Sequence, residues 1–276
     1  MNIETLQPSD IERMSYNELI GLVRETNRPP GGVSSIARVA QIVMLNSMKK
    51  VLEVGTSTGV TAIELVRFCQ CEVYGIDINT TSLKEAQERA EKYEVTHYVH
   101  FLKDDTTHLS FENDFFDLVF CGNVTSLVAH REKAISEYWR VLKFGGFLAA
   151  IPMYYVKSPS KSLIKKVSQA IHIDIVPHDK DYWIRKFTSE SFHVFFSEDY
   201  LFDTIDAHVI DEFVSTILRR PHLSKLPYES QKSLSRVYSN YMHIFRENLS
   251  HMGFTILILR KEFETLDREL FTAKRL

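Results

Sequence analysis

The chain has 276 residues, an apolar share of 44% and a formal net charge of −3. These values fit a globular protein with a real core, as one large domain or one domain with an appendage, and no long basic run marks a surface built for nucleic acid. Three scattered cysteines (Cys69, Cys71, Cys121) argue against a disulfide framework, and with no signal-like N-terminus and no apolar stretch near ~18 residues neither a secretory signal nor a membrane span is expected. The expectation is a soluble cytoplasmic protein.

Residues 9–26 read as a helix, capped by Ser9 or Asp10, with Ile11, Met14, Leu19, Leu22 and Val23 at helical spacing. Thr26 to Gly32 contains Pro29-Pro30-Gly31-Gly32 and breaks it. A second helix over 34–47 carries Ile36, Val39, Ala40, Val43 and Met44 on one side. Residues 1–47 are therefore expected to form an N-terminal helical cap.

From residue 48 the pattern alternates strand and helix. Strands are expected at 50–54, 72–77, 98–102, 116–121 and 147–151, and helices at 59–69, 81–93 and 130–142. Lys143-Phe144-Gly145-Gly146 is a turn. This rhythm implies a doubly wound α/β sheet with right-handed crossovers. After Pro152 it breaks. The segment 154–251 reads as mostly helical, with helices at 206–219 and 229–248 and a candidate strand at Phe192 to Phe196. Gly253 to Leu259 is a strongly apolar strand, read as returning antiparallel at or near the sheet's edge. The domains expected are a cap (1–47), a core (48–153 plus 252–262), a lid, substrate or dimer segment (154–251) and a charged helical tail (263–276).

The first strand runs into Glu53-Val54-Gly55-Thr56-Ser57-Thr58-Gly59 and then a helix. A ligand held there would lie beyond the strand's carboxyl end. A phosphate loop fails, because no lysine follows Gly59. A dinucleotide turn is poorly supported, because Ser57 and Val60 stand at two of its three glycine positions.

The remaining reading is S-adenosylmethionine, and several separate stretches agree on it. Over about 50–152, plus the strand near 253–260, the chain resembles the class I S-adenosylmethionine-dependent methyltransferases. The resemblance rests on the Glu53–Gly59 turn, Gly75-Ile76-Asp77-Ile78-Asn79, Lys103-Asp104-Asp105-Thr106, Phe116 to Asn123, and Arg140-Val141-Leu142-Lys143-Phe144-Gly145-Gly146. Ser57 departs from the family's middle glycine and Phe144 from its proline. The resemblance implies a Rossmann-like, seven-stranded mixed sheet with the helical insertion before its last strand. It also implies roles. Glu53 orients the methionine end, and Gly55, Thr56, Ser57 and Gly59 pack along the ligand. Asp77 accepts from the ribose hydroxyls and Ile78 lies on the adenine. Asp105, with Thr106 beside it and favoured over Asp104 by one residue of register, accepts from the adenine amino group, and Asn123 ends the fourth strand at the ligand. Arg28, in the Pro-Pro-Gly-Gly breaker, is a candidate for a carboxylate of cofactor or substrate, or an ordinary surface arginine.

The methyl acceptor should enter beyond strands four and five. Tyr154, Tyr155, His172 and His178 are the candidate catalytic residues there, and no spacing selects among them. No histidine or cysteine pattern has metal-ligand spacing, so no metal is expected. Asn123-Val124 is not the Asn/Asp-Pro-Pro-aromatic motif of enzymes methylating nucleic-acid bases or glutamine. The expected activity is methyl transfer to an O, N or C nucleophile of a small-molecule metabolite, with S-adenosylhomocysteine as product. The alternatives are a regulatory protein that binds the cofactor without turnover, and a methyltransferase acting on RNA or protein. A homodimer through 154–251 stays open.

Overall fold

The structure is a computed structural model, and it describes residues 3–262. The charged tail expected at 263–276 lies outside the described residues.

A central sheet carries the fold. Its parallel part is formed by β1 (Lys50–Val54), β2 (Glu72–Asp77), β3 (Val99–Lys103), β4 (Phe116–Gly122) and β5 (Leu142–Ala150). After it come β6 (Met153–Tyr155), β7 (Phe192–Leu201) and β8 (Met252–Lys261). The order is β3-β2-β1-β4-β5-β8-β6, with β7 pairing β8 as well. β5 and β6 pair the same edge of β8 in one unbroken register, Phe147 with Arg260 through Tyr155 with Met252. They share one lane, so the eight strands fill seven lanes and the seven-stranded expectation holds. Pro152 splits that lane because it has no N–H to donate, while its carbonyl still accepts from Thr255 N at 3.3 Å.

β8 is not the edge. It sits between β5 and β7 and is buried along nearly its whole length. That explains its unbroken apolar run. The edge belongs to β7, whose Val194, Phe195 and Leu201 are exposed. β1 is likewise covered on both faces. Val51 packs in a core with Leu118, Ile258 and Ile36, while Leu52 faces the opposite core with Val119, Leu257 and Tyr138.

The N-terminal region differs from the sequence reading. Residues 9–26 form two helices, α1 (Pro8–Arg13) and α2 (Tyr16–Val23). Met14 is extended, and Ser15 starts α2 with a capping box, accepting from Glu18 N while its own N donates to Glu18 Oε2 at 2.7 Å. Neither Ser9 nor Asp10 is the cap. Helix α3 spans Gly32–Ile42, shorter than expected, and Met44 beyond it lies at φ 50° and 73% exposed rather than in the core.

Helices α4 (Val60–Cys69), α5 (Thr80–Lys92) and α6 (Arg131–Val141) are the crossovers. The later segment adds α7 (Lys161–Ile171), α8 (Lys180–Phe187), α9 (Ala207–Leu218) and α10 (Tyr228–Leu249). α1, α2, α9 and α10 share a separate core built on Ile11, Leu19, Val23, Ile217, Leu234 and Tyr238. The cap and the late helices are thus one helical layer. Its hub is the end of α2. Glu25 there accepts from the hydroxyls of Tyr16 at 3.1 Å and Tyr238 at 2.6 Å, and Arg220 donates to the carbonyls of Val23 and Arg24.

Candidate cofactor and acceptor site

The site is built where β1 and β2 end side by side. Gly55 leaves β1 at φ 70°, and Gly59 caps α4 at φ 76°, a region open to glycine at little cost. Thr56 N donates to Ile76 O at 2.9 Å, and Gly59 N closes the turn on Thr56 O at 2.9 Å. Ser57 sits at φ 50°. The family's middle glycine therefore has a backbone reason, and serine occupies the position with some strain. Val124, the first residue of a short 3-10 turn (Val124–Leu127) after β4, lies directly on Gly55. A Cβ on that glycine would be 2.6 Å from a Val124 methyl.

Glu53 is only 4% exposed. Its Oε2 accepts from Thr56 Oγ1 at 2.5 Å and from Ala62 N at 3.0 Å, so it braces the turn against the start of α4. Burial pushes its carboxyl up to about 7, against the pull of those hydrogen bonds, and the nearby Asp77 charge adds to the rise. The folded chain therefore keeps this proton after the unfolded chain has lost it. Stability from this group is greatest below about pH 4.5 and falls as pH rises towards about 7, by on the order of 3 kcal/mol. Glu53→Gln should flatten that slope in urea melts run at about pH 5 and about pH 8. An unchanged slope in the variant rules Glu53 out as its source.

Asp77 ends β2, half-buried. Its Oδ2 accepts from Ser57 N at 2.9 Å and its Oδ1 from Asn79 N at 2.8 Å. Burial raises its carboxyl above the ordinary range, partly offset by these backbone donors. Ile78 beside it is 72% exposed, an apolar surface in water next to a carboxylate. Asp105 is exposed, and its Oδ1 accepts from Thr107 N at 2.8 Å and Oγ1 at 2.9 Å, which lowers it. Asp104 carries the other half of that turn, accepting from Asp105 N and Ser110 N at 2.9 and 3.0 Å, and its own N donates to Asp77 O at 3.3 Å. Thr106 Oγ1 donates to the buried Tyr138 hydroxyl at 3.0 Å. Asn123 Oδ1 accepts from Met153 N at 3.0 Å, tying the end of β4 to β6.

The helical layer reaches the same edge. Thr58 Oγ1 donates to Glu25 O at 2.8 Å, and Arg89 on α5 donates to Thr58 Oγ1 at 3.2 Å. Pro29 lies against Gly122 and Gly31 against Phe254, which sets the Arg28 loop over β4 and β8. Arg28 is exposed and makes no ion pair among the described residues.

Beyond β5, at the candidate acceptor residues, Tyr154 is buried, and its hydroxyl, bonded to Asp199, is pushed up to about 12, chiefly by burial. Tyr155 donates its hydroxyl to Asn248 Oδ1 at 2.9 Å and its N–H to His178 O at 3.0 Å. His178 stacks flat on Tyr182 at 3.5 Å, and burial with the Arg131 charge lowers its imidazole. Arg131 donates to Tyr182 Oη at 3.3 Å and Ser126 O at 2.9 Å and pairs with no carboxylate among the described residues. His172 ends α7 at φ 56°, exposed.

The turn therefore gathers Glu53, Gly55, Thr56, Ser57, Gly59 and Asp77, with Asn123 one lane away and Tyr155 and His178 joined beyond it. Sequence reasoning missed Val124 on Gly55, the Thr58–Glu25 bond and Arg131. Only Val124 had a signal, its place two residues past β4. The glycine-lined cradle and the carboxylate at the end of β2 fit S-adenosylmethionine, which needs a close backbone approach and an acceptor for a ribose diol.

A family profile described as "Methyltransferase domain" matches residues 52–150. An uncharacterized protein of Haemophilus influenzae is 29% identical over 183 residues, covering 66% of this chain and 72% of that protein. A sterol 24-C-methyltransferase of Candida albicans is 34% identical over 108 residues, covering 39% of this chain but only 29% of its own length. The solved S-adenosylmethionine-dependent methyltransferase from Geobacter sulfurreducens, in complex with S-adenosyl-L-homocysteine, superposes with a TM-score of 0.67 at 16% identity, covering 90% of this chain and 99% of that one. Residues 52–150 of the chain thus match the methyltransferase-domain family, and the chain has the fold of solved S-adenosylmethionine-dependent methyltransferases.

Proposed function

We propose that the protein transfers a methyl group from S-adenosylmethionine to an oxygen, nitrogen or carbon nucleophile of a small, partly apolar metabolite. The observation that carries this is Asp77, a half-buried carboxylate at the end of β2, hydrogen-bonded to the Ser57 amide of the glycine turn. The cofactor supplies an activated methyl on a sulfonium, so the protein's task is alignment and exclusion of water. Gly55 and Val124 set the closeness of approach, and Asp77 takes the ribose. Asn123 and the Tyr155–His178 link hold β6 at the acceptor's door. His178, with its imidazole lowered towards the neutral form, serves as base for an acceptor that arrives protonated. The sterol 24-C-methyltransferase relative supports an apolar small acceptor. The unpaired Cys69, Cys71 and Cys121 support a reducing, cytoplasmic setting.

Calorimetry with S-adenosylmethionine tests the core of this reading, and absence of binding sinks it. Methyl-labelled cofactor offered with metabolite, RNA and protein fractions tests the acceptor class. Label confined to RNA or protein overturns the small-molecule assignment, and binding without label in any fraction favours a regulatory role.

A further inference from the structure

Residues 156–177 form an excursion after β6 whose far end comes back to the strand's last residue. Tyr155 N donates to His178 O at 3.0 Å, so the excursion is rooted beside the acceptor's door. It carries Lys157, Lys161, Lys165 and Lys166, and no acid occurs from Val156 to Ile173 in a chain whose net charge is −3. All four lysines are exposed, and none makes an ion pair among the described residues. Helix α7 is fixed in orientation. Ser160 caps it through Leu163 N at 3.1 Å, and Leu163, Val167 and Ala170 are buried against the fold. The opposite face therefore points outward with Lys161 and Lys165 one turn apart.

The irregular segment after α7 folds back along that face. Ile173 N donates to Ser168 O, and Ile175 N to Ser168 Oγ, at 3.1 and 3.0 Å. Between helix and return runs a shallow groove of about 810 Å³, with Lys161, Lys165 and His172 around Ile164, Ile173 and Ile175. Asp174 also lines it. Val156 and Val176, at the excursion's two ends, are 46% and 62% exposed.

We infer that this face docks on an anionic lipid bilayer. Unpaired lysines meet lipid phosphates, and the exposed valines and isoleucine groove enter the apolar boundary. Nucleic acid would need stacking partners, and 156–177 contains no aromatic residue. Docking here holds the acceptor's door at the membrane, where an apolar acceptor would be concentrated. That last step rests on the proposed methyl transfer, but the docking itself does not.

The test is co-sedimentation of the full chain with phosphatidylcholine vesicles, with and without phosphatidylglycerol. Binding is expected only with phosphatidylglycerol and should weaken with salt. Each lysine at the surface contributes about fivefold, so K161E/K165E should lose about thirtyfold or more in partitioning. Calorimetry with S-adenosylmethionine on the same samples reads the fold and the cofactor site independently. Vesicle binding with no cofactor binding keeps the dock and sinks the methyltransferase reading. Equal binding to both vesicle types, no loss in K161E/K165E, or binding of a single-stranded RNA oligonucleotide without vesicle binding overturns the dock.

Discussion

Gly59→Ala is expected to destabilise the protein by about 2–5 kcal/mol, because two costs add at this position. The first is conformational. Gly59 lies at φ 76°, where an L side chain costs about 1–2 kcal/mol. The second is steric. A Cβ would stand 2.6 Å from Phe101 Cζ, 2.8 Å from Ala86 Cβ and 3.1 Å from Ala86 Cα. The phenyl tip can turn aside, but the Ala86 backbone belongs to α5 and moves only with the helix. That overpacking adds about 1–3 kcal/mol. Gly145→Ala separates the two costs. Gly145 has nearly the same φ, 72°, but its nearest neighbour would be an Arg260 guanidinium nitrogen at 3.6 Å. It should lose only the conformational part. For a chain of this size the melting temperature of Gly59→Ala should fall by roughly 5–15 °C, and that of Gly145→Ala by roughly half or less. Equal losses in the two variants would mean that α5 does not press on the glycine turn.

What could be read from the chain follows from burial. β1, β4 and β8 are covered on both faces, so each appears as a continuous apolar run. β7 lies at the edge with Val194 and Phe195 in solvent, so its outline is weaker and its first residues alone suggested a strand. The same run of apolar residues that made β8 visible also fits its place one lane in from the edge, because continuous burial marks an interior lane. The break between α1 and α2 was readable in Ser15-Tyr16-Asn17-Glu18, a capping-box spacing overlooked within a longer helical pattern. Other features have no local signal. Glu25 meets Tyr238, and Val23 meets Arg220, across about two hundred residues of chain, and no spacing rule joins them. Arg131 is an ordinary first-turn arginine until α8 brings Tyr182 to it. Ser57 looked like a defect in a glycine motif. Its φ of 50° shows what the glycine is for, and its amide still reaches Asp77.

Replacing Asp77 should cost the protein most of its affinity for S-adenosylmethionine, and two variants separate the reasons. A carboxylate that accepts from both ribose hydroxyls makes two charge-assisted hydrogen bonds, each contributing about 1.5–3 kcal/mol. Asp77→Ala removes both and should weaken binding by about a hundredfold to ten-thousandfold. It also removes the acceptors for Ser57 N and Asn79 N, so part of its effect runs through a loosened turn. Asp77→Asn keeps the shape and one acceptor oxygen but presents an amide where the second hydroxyl would donate. It keeps only one of the two acceptors for Ser57 N and Asn79 N, so it should lose about tenfold or more in affinity with a smaller fall in unfolding midpoint than Asp77→Ala. Because burial raises the Asp77 carboxyl above its ordinary range, cofactor affinity should begin to fall at a higher pH than an exposed aspartate would set. Asp77→Asn, with no proton to gain there, should lose that share of the pH dependence. Calorimetry across pH on the wild type and both variants reads all of this. Wild-type affinity in both variants would remove Asp77 from the ribose. A loss in Asp77→Ala alone, matched by a lower unfolding midpoint, would make Asp77 a brace for Ser57 and not a ligand group.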